Sequence, residues 1–314
     1  MSDPLDTDVV LAAIVQQLAQ LLPGMPPEDR TRFASAIRGP EPYGLGQDSI
    51  RREDVPRGAL REGVCAPGAV YPGVPHAWRT YVPAQYDGSA EAALMVFQDG
   101  VRYLGPEIDV PAVLDNLIAA GELPPIVAVF AEPGAQGPGL PLYGGRDNRS
   151  IEYDSGGDAY ARFLLEELLP EATQGLRISD NPSRRAICGI SSGGHCAFNV
   201  AWQRPDAFGL VLSHCGSFVD LRGGHLLAPA VRAAPHRPLR VLLQTGRRDL
   251  DIVFGNWLLA NQSLFSALQY RGYEARLEVG DGGHSLVHGG AIFPDSLRWL
   301  WASGSLLPPA QDSP

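Results

Sequence analysis

Apolar residues recur at helical spacing near the start of the chain. Val10, Ile14, Leu18 and Leu21 form one row, Leu11, Val15 and Leu22 widen it, and Pro23-Gly24 closes the run. The spacing predicts an amphipathic helix over 8–22. Its apolar face can pack on a partner chain or fold back on its own core, and folding back is the favoured expectation. Residues 23–64 are rich in Pro, Gly, Arg and Asp without periodicity, and read as an irregular extension wrapped on a core that begins near Cys65.

Beyond Cys65 the pattern becomes regular. Strand-like apolar runs occur at Trp78–Val82, Leu94–Gln98, Ile126–Phe130, Arg185–Gly189, Leu210–Ser213, Arg240–Thr245 and Ala275–Val279. Helical patterns lie between them near 108–120, 157–168, 192–203, 255–271 and 291–301. Short apolar strands alternating with helices predict an α/β fold, a mostly parallel twisted sheet with helices on both faces. The expected division is an extension over 1–64, one catalytic domain over 65–303 and a frayed tail over 304–314. The longest irregular stretch, Glu132 to Ser155, is long enough to suggest a functional loop overhanging the strand ends.

Composition narrows the chemistry. The 314 residues are 45% hydrophobic and 19% charged, enough for a sizeable core. Lys+Arg 25 against Asp+Glu 35 leaves a net charge of −10. A chain so acidic, without a basic run, has no electrostatic footprint for nucleic acid or an anionic membrane. Every basic residue is Arg. The absence of lysine excludes Schiff-base chemistry and a Walker-type phosphate loop. Cys65, Cys188, Cys196 and Cys215 have neither C-x-x-C spacing nor the density of a disulfide scaffold, so reduced, buried thiols are expected. Asp3, Asp6 and Asp8 have the wrong sign for a signal peptide, and no stretch is long enough to span a membrane. A cytoplasmic protein with a small-molecule substrate is expected, and homo-oligomerisation is left open. Neither H-E-x-x-H nor C-x-x-C occurs, so no metal or other cofactor is expected.

The strongest chemical signal is Gly189-Ile190-Ser191-Ser192-Gly193-Gly194. With 36 glycines in the chain, a bare G-x-x-x-G arises about four times by chance. Specificity comes from the context: a strand before, a helix after and serine at the centre, the pattern of a nucleophile elbow. Ser191 then needs a base and an acid, expected in the order Ser, Asp/Glu, His. Asp249 and Asp251 follow the strand Arg240–Thr245, and His284 follows the strand Ala275–Val279, with His288 as a rival base. His284 is favoured because it lies nearer its strand end. Asp251 has a second reading as a cap for the following helix. His195, His214 and His225 read as structural or pocket-lining. The backbone N–H of Ser192 is the expected first oxyanion donor, and the loop Phe97–Tyr103, with its Asp99-Gly100 turn, is expected to supply a second.

Several of these stretches together resemble the enterochelin esterase-like esterases of the α/β-hydrolase superfamily. They are Leu94–Gly100, Asn148–Asp154, Gly189–Gly194, Gly255–Asn261 and Gly282–His284, with Asp54–Gly58 and Val70–Gly73 ahead of them. The resemblance covers roughly residues 47–302. It implies an α/β-hydrolase fold and a Ser191–Asp249–His284 triad, with Val101 supplying the second oxyanion N–H. It also directs attention to Asp99, Arg149, Glu152 and Trp257 as substrate contacts. The expected function is a serine carboxylic-ester hydrolase working through an acyl-enzyme. An acyltransferase with the same triad and a non-catalytic binding protein on the same scaffold are the alternatives.

Overall fold

The structure is a computed structural model that describes residues 26–134 and 148–302. The expected helix over 8–22, the tail over 304–314 and the middle of the Glu132–Ser155 segment lie outside the described residues. In chain order, α1 is Pro27–Arg38, β1 is Ala59–Cys65, β2 is His76–Val82 and β3 is Ala93–Gln98. Then come α2 (Val110–Ala119), β4 (Ile126–Ala131) and α3 (Asn148–Tyr153). The helical run α4 joins three pieces, Ala159–Arg162, a π-helical Phe163–Leu168 and Leu169–Ala172. The second half holds β5 (Arg185–Ile190), α5 (Ser192–Gln203), β6 (Leu210–His214), α6 (Leu227–Ala233) and β7 (Arg240–Gly246). It closes with α7 (Trp257–Tyr270), β8 (Glu274–Gly280), α8 (Val287–Ala291) and α9 (Phe293–Leu300).

The eight strands form one sheet in the order β1-β2-β4-β3-β5-β6-β7-β8. β2 runs antiparallel to both its neighbours, β1 and β4, and every other pairing is parallel. The central strands β3, β4 and β5 are buried at every position, which is why they read as continuous apolar runs. Tyr81, Phe97, Tyr103, Phe130 and Phe293 fill one face, and Tyr153, Phe163, Phe198 and Phe208 fill the other. Each such ring contributes about 1.5–3 kcal/mol on burial. All four cysteines are free and buried. Among the described residues, no helix is long and apolar enough to cross a membrane.

Several elements differ from the sequence expectation, α6 among them, which no expected helical pattern covered. The stretch 23–64 holds a helix, α1, and the edge strand β1, so the sheet starts before Cys65. Polar residues such as Arg61 and Glu62 alternate through β1, and Leu60 and Val64 stand exposed, because an edge strand covered on one face needs no apolar run. The Glu132–Ser155 segment contains α3, which is anchored by polar side chains and so leaves no apolar periodicity. The last helical pattern, 291–301, forms α9, and the unexpected short helix α8 precedes it, with Ile292 between them.

Candidate active site

Parallel strands bring their C-terminal ends to one edge of the sheet. β5 ends there at Ile190, and Ser191 follows with φ 60° and ψ −124°, in a backbone region costly for any residue with a side chain. The surroundings enforce it: the Ser191 amide donates to His214 O at 2.9 Å, while its carbonyl accepts from His195 N and Ser217 N, both at 3.0 Å. The turn is so tight that a Cβ at Gly189 would stand 2.2 Å from the carbonyl oxygen of Gly193. That contact explains the first glycine of the motif. The strained serine is thereby lifted out of the sheet above the first turn of α5.

β7 and β8 deliver the partners. Gly246 and Gly280 lie side by side in register, so the loops carrying Asp249 and His284 leave the sheet at adjacent points. His284 Nε2 lies 2.9 Å from Ser191 Oγ, and its Nδ1 lies 2.6 Å from Asp249 Oδ1. Asp249 also accepts from the Leu250 amide on Oδ1 and from the Thr245 hydroxyl on Oδ2, both at 2.7 Å. Because a carboxylate only accepts, Nδ1 carries the proton and Nε2 is left to accept from the serine hydroxyl. The carboxylate side chain of Asp249 is fully enclosed.

The rivals stand elsewhere. Asp251 is exposed, and the cap of α7 is Asn256, whose side chain accepts from the Leu259 amide at 3.0 Å. His288 is buried with its Nδ1 3.1 Å from Gln244 Nε2 and its ring 4.5 Å from that of Tyr43. His195 holds the carbonyl of Tyr153 at 2.8 Å, and His225 pairs with Asp220. His214 is bonded to Tyr103 Oη, and burial pushes its imidazole down to about 3, so it stays neutral. Among the described residues, Cys215, Asp249 and His284 are the one set of three potential metal ligands whose donor atoms lie together. Burial holds the Cys215 thiol well above the ordinary thiol range, and it points to the carbonyls of Gly283 and Ser285. A protonated thiol is a poor ligand, and the other two groups are engaged with each other.

Of the four expected substrate contacts, Asp99, Glu152 and Trp257 are buried and Arg149 is partly buried, and the polar groups of all four are engaged within the protein. Asp99 receives Arg149 in a two-point pair, Nε to Oδ1 at 2.8 Å and a terminal nitrogen to Oδ2 at 2.5 Å. Glu152 accepts from Asn148 and the Gly134 amide and meets His76 Nε2 at 2.9 Å, which ties α3 to the end of β4. Trp257 is 2% exposed, donates to Ser217 Oγ at 3.2 Å and sets its ring edge-on to His284 at 5.9 Å. Ser217 Oγ in turn lies 3.2 Å from Ser191 Oγ. These groups hold the turn and the imidazole in place from behind.

At the expected oxyanion corner, Ser192 begins α5, where helix geometry leaves its amide without an intrahelical acceptor. The Val101 amide is already engaged: it donates to Glu132 Oε1 at 2.6 Å. Sequence reasoning did not single out Glu132, because a Glu after a buried strand reads as the start of a polar loop.

It also missed the role of the extension. α1 and the residues after it hold three consecutive positions around the histidine. The His284 amide donates to Ala36 O at 2.8 Å. Glu41 Oε1 accepts from the Gly283 amide at 3.1 Å and from Ser285 Oγ at 2.5 Å. Tyr43 Oη accepts from the Asp281 amide at 2.6 Å, and Asp29 takes the Val253 amide at 2.8 Å. Contacts between positions more than 200 apart leave no local signature.

The comparisons agree with this architecture. The "Putative esterase" family model matches residues 73–300. The chain is 30% identical over 237 residues to the iron(III) enterobactin esterase of Dickeya dadantii, covering 70% of this chain and 50% of that one. The iron(III) enterobactin esterase of Escherichia coli K12 is 28% identical over 230 residues, covering 71% and 53%. The chain thus spans about half the length of these curated relatives. Among solved structures, the enterobactin esterase of Shigella flexneri superposes with a TM-score of 0.65 at 24% identity, covering 83% of this chain and 63% of that one. The ferulic acid esterase of the anaerobic fungus Anaeromyces mucronatus gives 0.64 at 17% identity, covering 83% and 100%. At those identities the likeness establishes the fold. Family match, sheet order and elbow agree, and the chain belongs to the enterochelin esterase-like esterase family, with the α/β-hydrolase fold.

Proposed function

We propose that the chain is a serine carboxylic-ester hydrolase. The observation that carries this is the unbroken hydrogen-bonded line Ser191–His284–Asp249 ending on a strained elbow serine. Ser191 Oγ attacks the acyl carbon as His284 Nε2 removes its proton; the proton then passes to the leaving alkoxide. Asp249 keeps Nδ1 protonated and offsets the positive charge on the imidazole. The Ser192 amide, at the positive end of α5, stabilises charge on the carbonyl oxygen. Water activated by the same histidine attacks the acyl-enzyme and releases the acid.

The strain at Ser191 supports catalysis over a silent binding role, since a serine needed only for packing gains nothing from φ 60°. The test is a panel of p-nitrophenyl esters of graded chain length with feruloyl, acetylated-sugar and catecholate-lactone esters, run beside fluorophosphonate labelling. The names of the curated relatives make enterobactin the first natural ester to try. Labelling at Ser191 with turnover of at least one ester is expected. Adding acceptor alcohols separates hydrolysis from acyl transfer by product. A chain with no label at Ser191 and no turnover is not a serine hydrolase. Cytoplasmic location belongs to the same proposal, tested by fractionation.

A further inference from the structure

The Ser191 hydroxyl oxygen has a second neighbour besides His284. β6 runs parallel beside β5, with Ile190 paired to His214, so the segment after β6 leaves the sheet next to the elbow. Cys215 turns that segment sharply, with φ 47°, and a Cβ at Gly216 would stand 2.4 Å from Ser213 Oγ. The turn lays Ser217 against Ser191 at two points. Its amide donates to the Ser191 carbonyl at 3.0 Å, and its Oγ lies 3.2 Å from Ser191 Oγ. α7 fixes the turn from the other side: Asn261 Nδ2 donates to Gly216 O at 2.9 Å, and the Trp257 indole N–H donates to Ser217 Oγ at 3.2 Å. Ser217 and Asn261 are wholly buried and Trp257 almost so.

The direction of each hydrogen bond follows from the groups at the two ends of the line. Asp249 only accepts, so His284 Nδ1 carries the proton and Nε2 can only accept. The single hydroxyl hydrogen of Ser191 therefore lies toward Nε2. The contact between the two serine oxygens is then filled by the hydrogen of Ser217. An indole N–H can only donate, so Ser217 Oγ accepts from Trp257 while it donates to Ser191. The line runs one way, from Trp257 to Ser217, from Ser217 to Ser191 and from Ser191 to His284. A hydroxyl that accepts one bond donates the next more strongly.

We propose that Ser217 is a catalytic residue, the hydroxyl that donates to the nucleophile's oxygen while Trp257 holds it in that direction. The inference rests on the serine-hydrolase reading. Ser217 keeps its hydrogen throughout. As His284 takes the proton of Ser191, negative charge builds on Oγ and the bond from Ser217 strengthens, so it stabilises the transition state more than the resting enzyme. It also occupies one lone pair of Oγ and leaves the other for the acyl carbon. When the acyl-enzyme breaks down, the same hydroxyl meets Oγ as the bond to the acyl carbon breaks and His284 returns the proton.

The experiment compares Ser217→Ala, Trp257→Phe and the double variant with the parent. It measures kcat, KM, Tm and the second-order rate of fluorophosphonate labelling, which reads the attack of Ser191 without the water step. Ser217→Ala should lower kcat and the labelling rate about 10–100-fold, the worth of a hydrogen bond to a developing charge, with KM within about threefold. Its Tm should fall, because the buried Trp257 N–H loses its acceptor. Trp257→Phe leaves the Ser217 hydroxyl in place but free to turn, and should cost about twofold to tenfold, the worth of a neutral hydrogen bond. In that background no indole N–H is left to satisfy, so adding Ser217→Ala should cost little further Tm yet still lower the labelling rate about fivefold or more. A Ser217→Ala loss below tenfold would overturn the proposal. So would a loss that falls on KM, or an alanine penalty below fivefold in the phenylalanine background, which would make Ser217 merely the seat of Trp257. Failure of the underlying reading is separate: the parent itself then takes no label at Ser191.

Discussion

Replacing Asp249 by Asn isolates the charge of the third member of the proposed triad. The shape is conserved, and the surrounding donors dictate how the amide sits. Oδ1 accepts from the Leu250 amide, which cannot rotate, while Oδ2 faces the Thr245 hydroxyl, which can turn from donor to acceptor. The asparagine therefore keeps its oxygen toward His284 and its nitrogen toward Thr245, and the imidazole keeps its Nδ1–H. What is lost is the negative charge beside the imidazolium that forms as Ser191 attacks. The contact is 2.6 Å, but the charges are spread over two ring nitrogens and two oxygens, so their centres lie roughly 4 Å apart. At an effective dielectric of 20 that interaction is about 4 kcal/mol, or about 10³ in rate. If the amide flips and the tautomer changes, the loss grows toward about 10⁴. Asp251→Asn, on an exposed side chain, should stay within about threefold. The assay is kcat on one activated and one unactivated ester for both variants, with Tm confirming that each folds. A loss below about tenfold for Asp249→Asn on both esters would refute the electrostatic reasoning and reduce the site to a Ser191–His284 dyad.

Ser191→Ala should abolish turnover, by about 10⁶ in kcat, while Ser192→Ala should keep most activity, because the proposed mechanism uses only its backbone amide. A phosphonate adduct on Ser192 would show the elbow misread. Glu41→Ala removes the acceptor from Gly283 and Ser285 on both sides of His284. It should lower kcat about tenfold or more with KM little changed, and Glu41→Gln should recover part of the loss; equal KM and kcat effects would argue against a role in placing the histidine. Arg149→Ala leaves Asp99 buried without its two-point partner. A cost of about 3–5 kcal/mol is expected, read as a lower urea midpoint, with ratios of kcat/KM across the ester panel unchanged. A marked shift in those ratios at unchanged stability would instead return Arg149 to direct substrate contact.

The sheet was legible because its central strands are covered on both faces and so must be written almost wholly in apolar residues. The elbow was legible because a turn that tight admits only glycine at position 189, and the strand, turn, serine and helix are contiguous. Chain order gave a carboxylate after β7 and a histidine after β8 as partners, because loops at the ends of parallel strands share one edge, and only the resemblance favoured Asp249 over Asp251. The sequence left Asp249 and Asp251 unresolved; only the fold turns one side chain onto His284 Nδ1 and leaves the other in solvent. Tertiary structure also decided what the polar neighbours do. Asp99, Arg149, Glu152 and Trp257 sit where a substrate contact would be expected along the chain, yet packing directs each onto a protein partner. The support of His284 by Ala36 and Glu41, and the seat of Glu132 on the Val101 amide, join segments from 31 to nearly 250 positions apart. No local pattern encodes such pairs, because the energy that selects them is gained only when the sheet has closed and the buried groups must find partners.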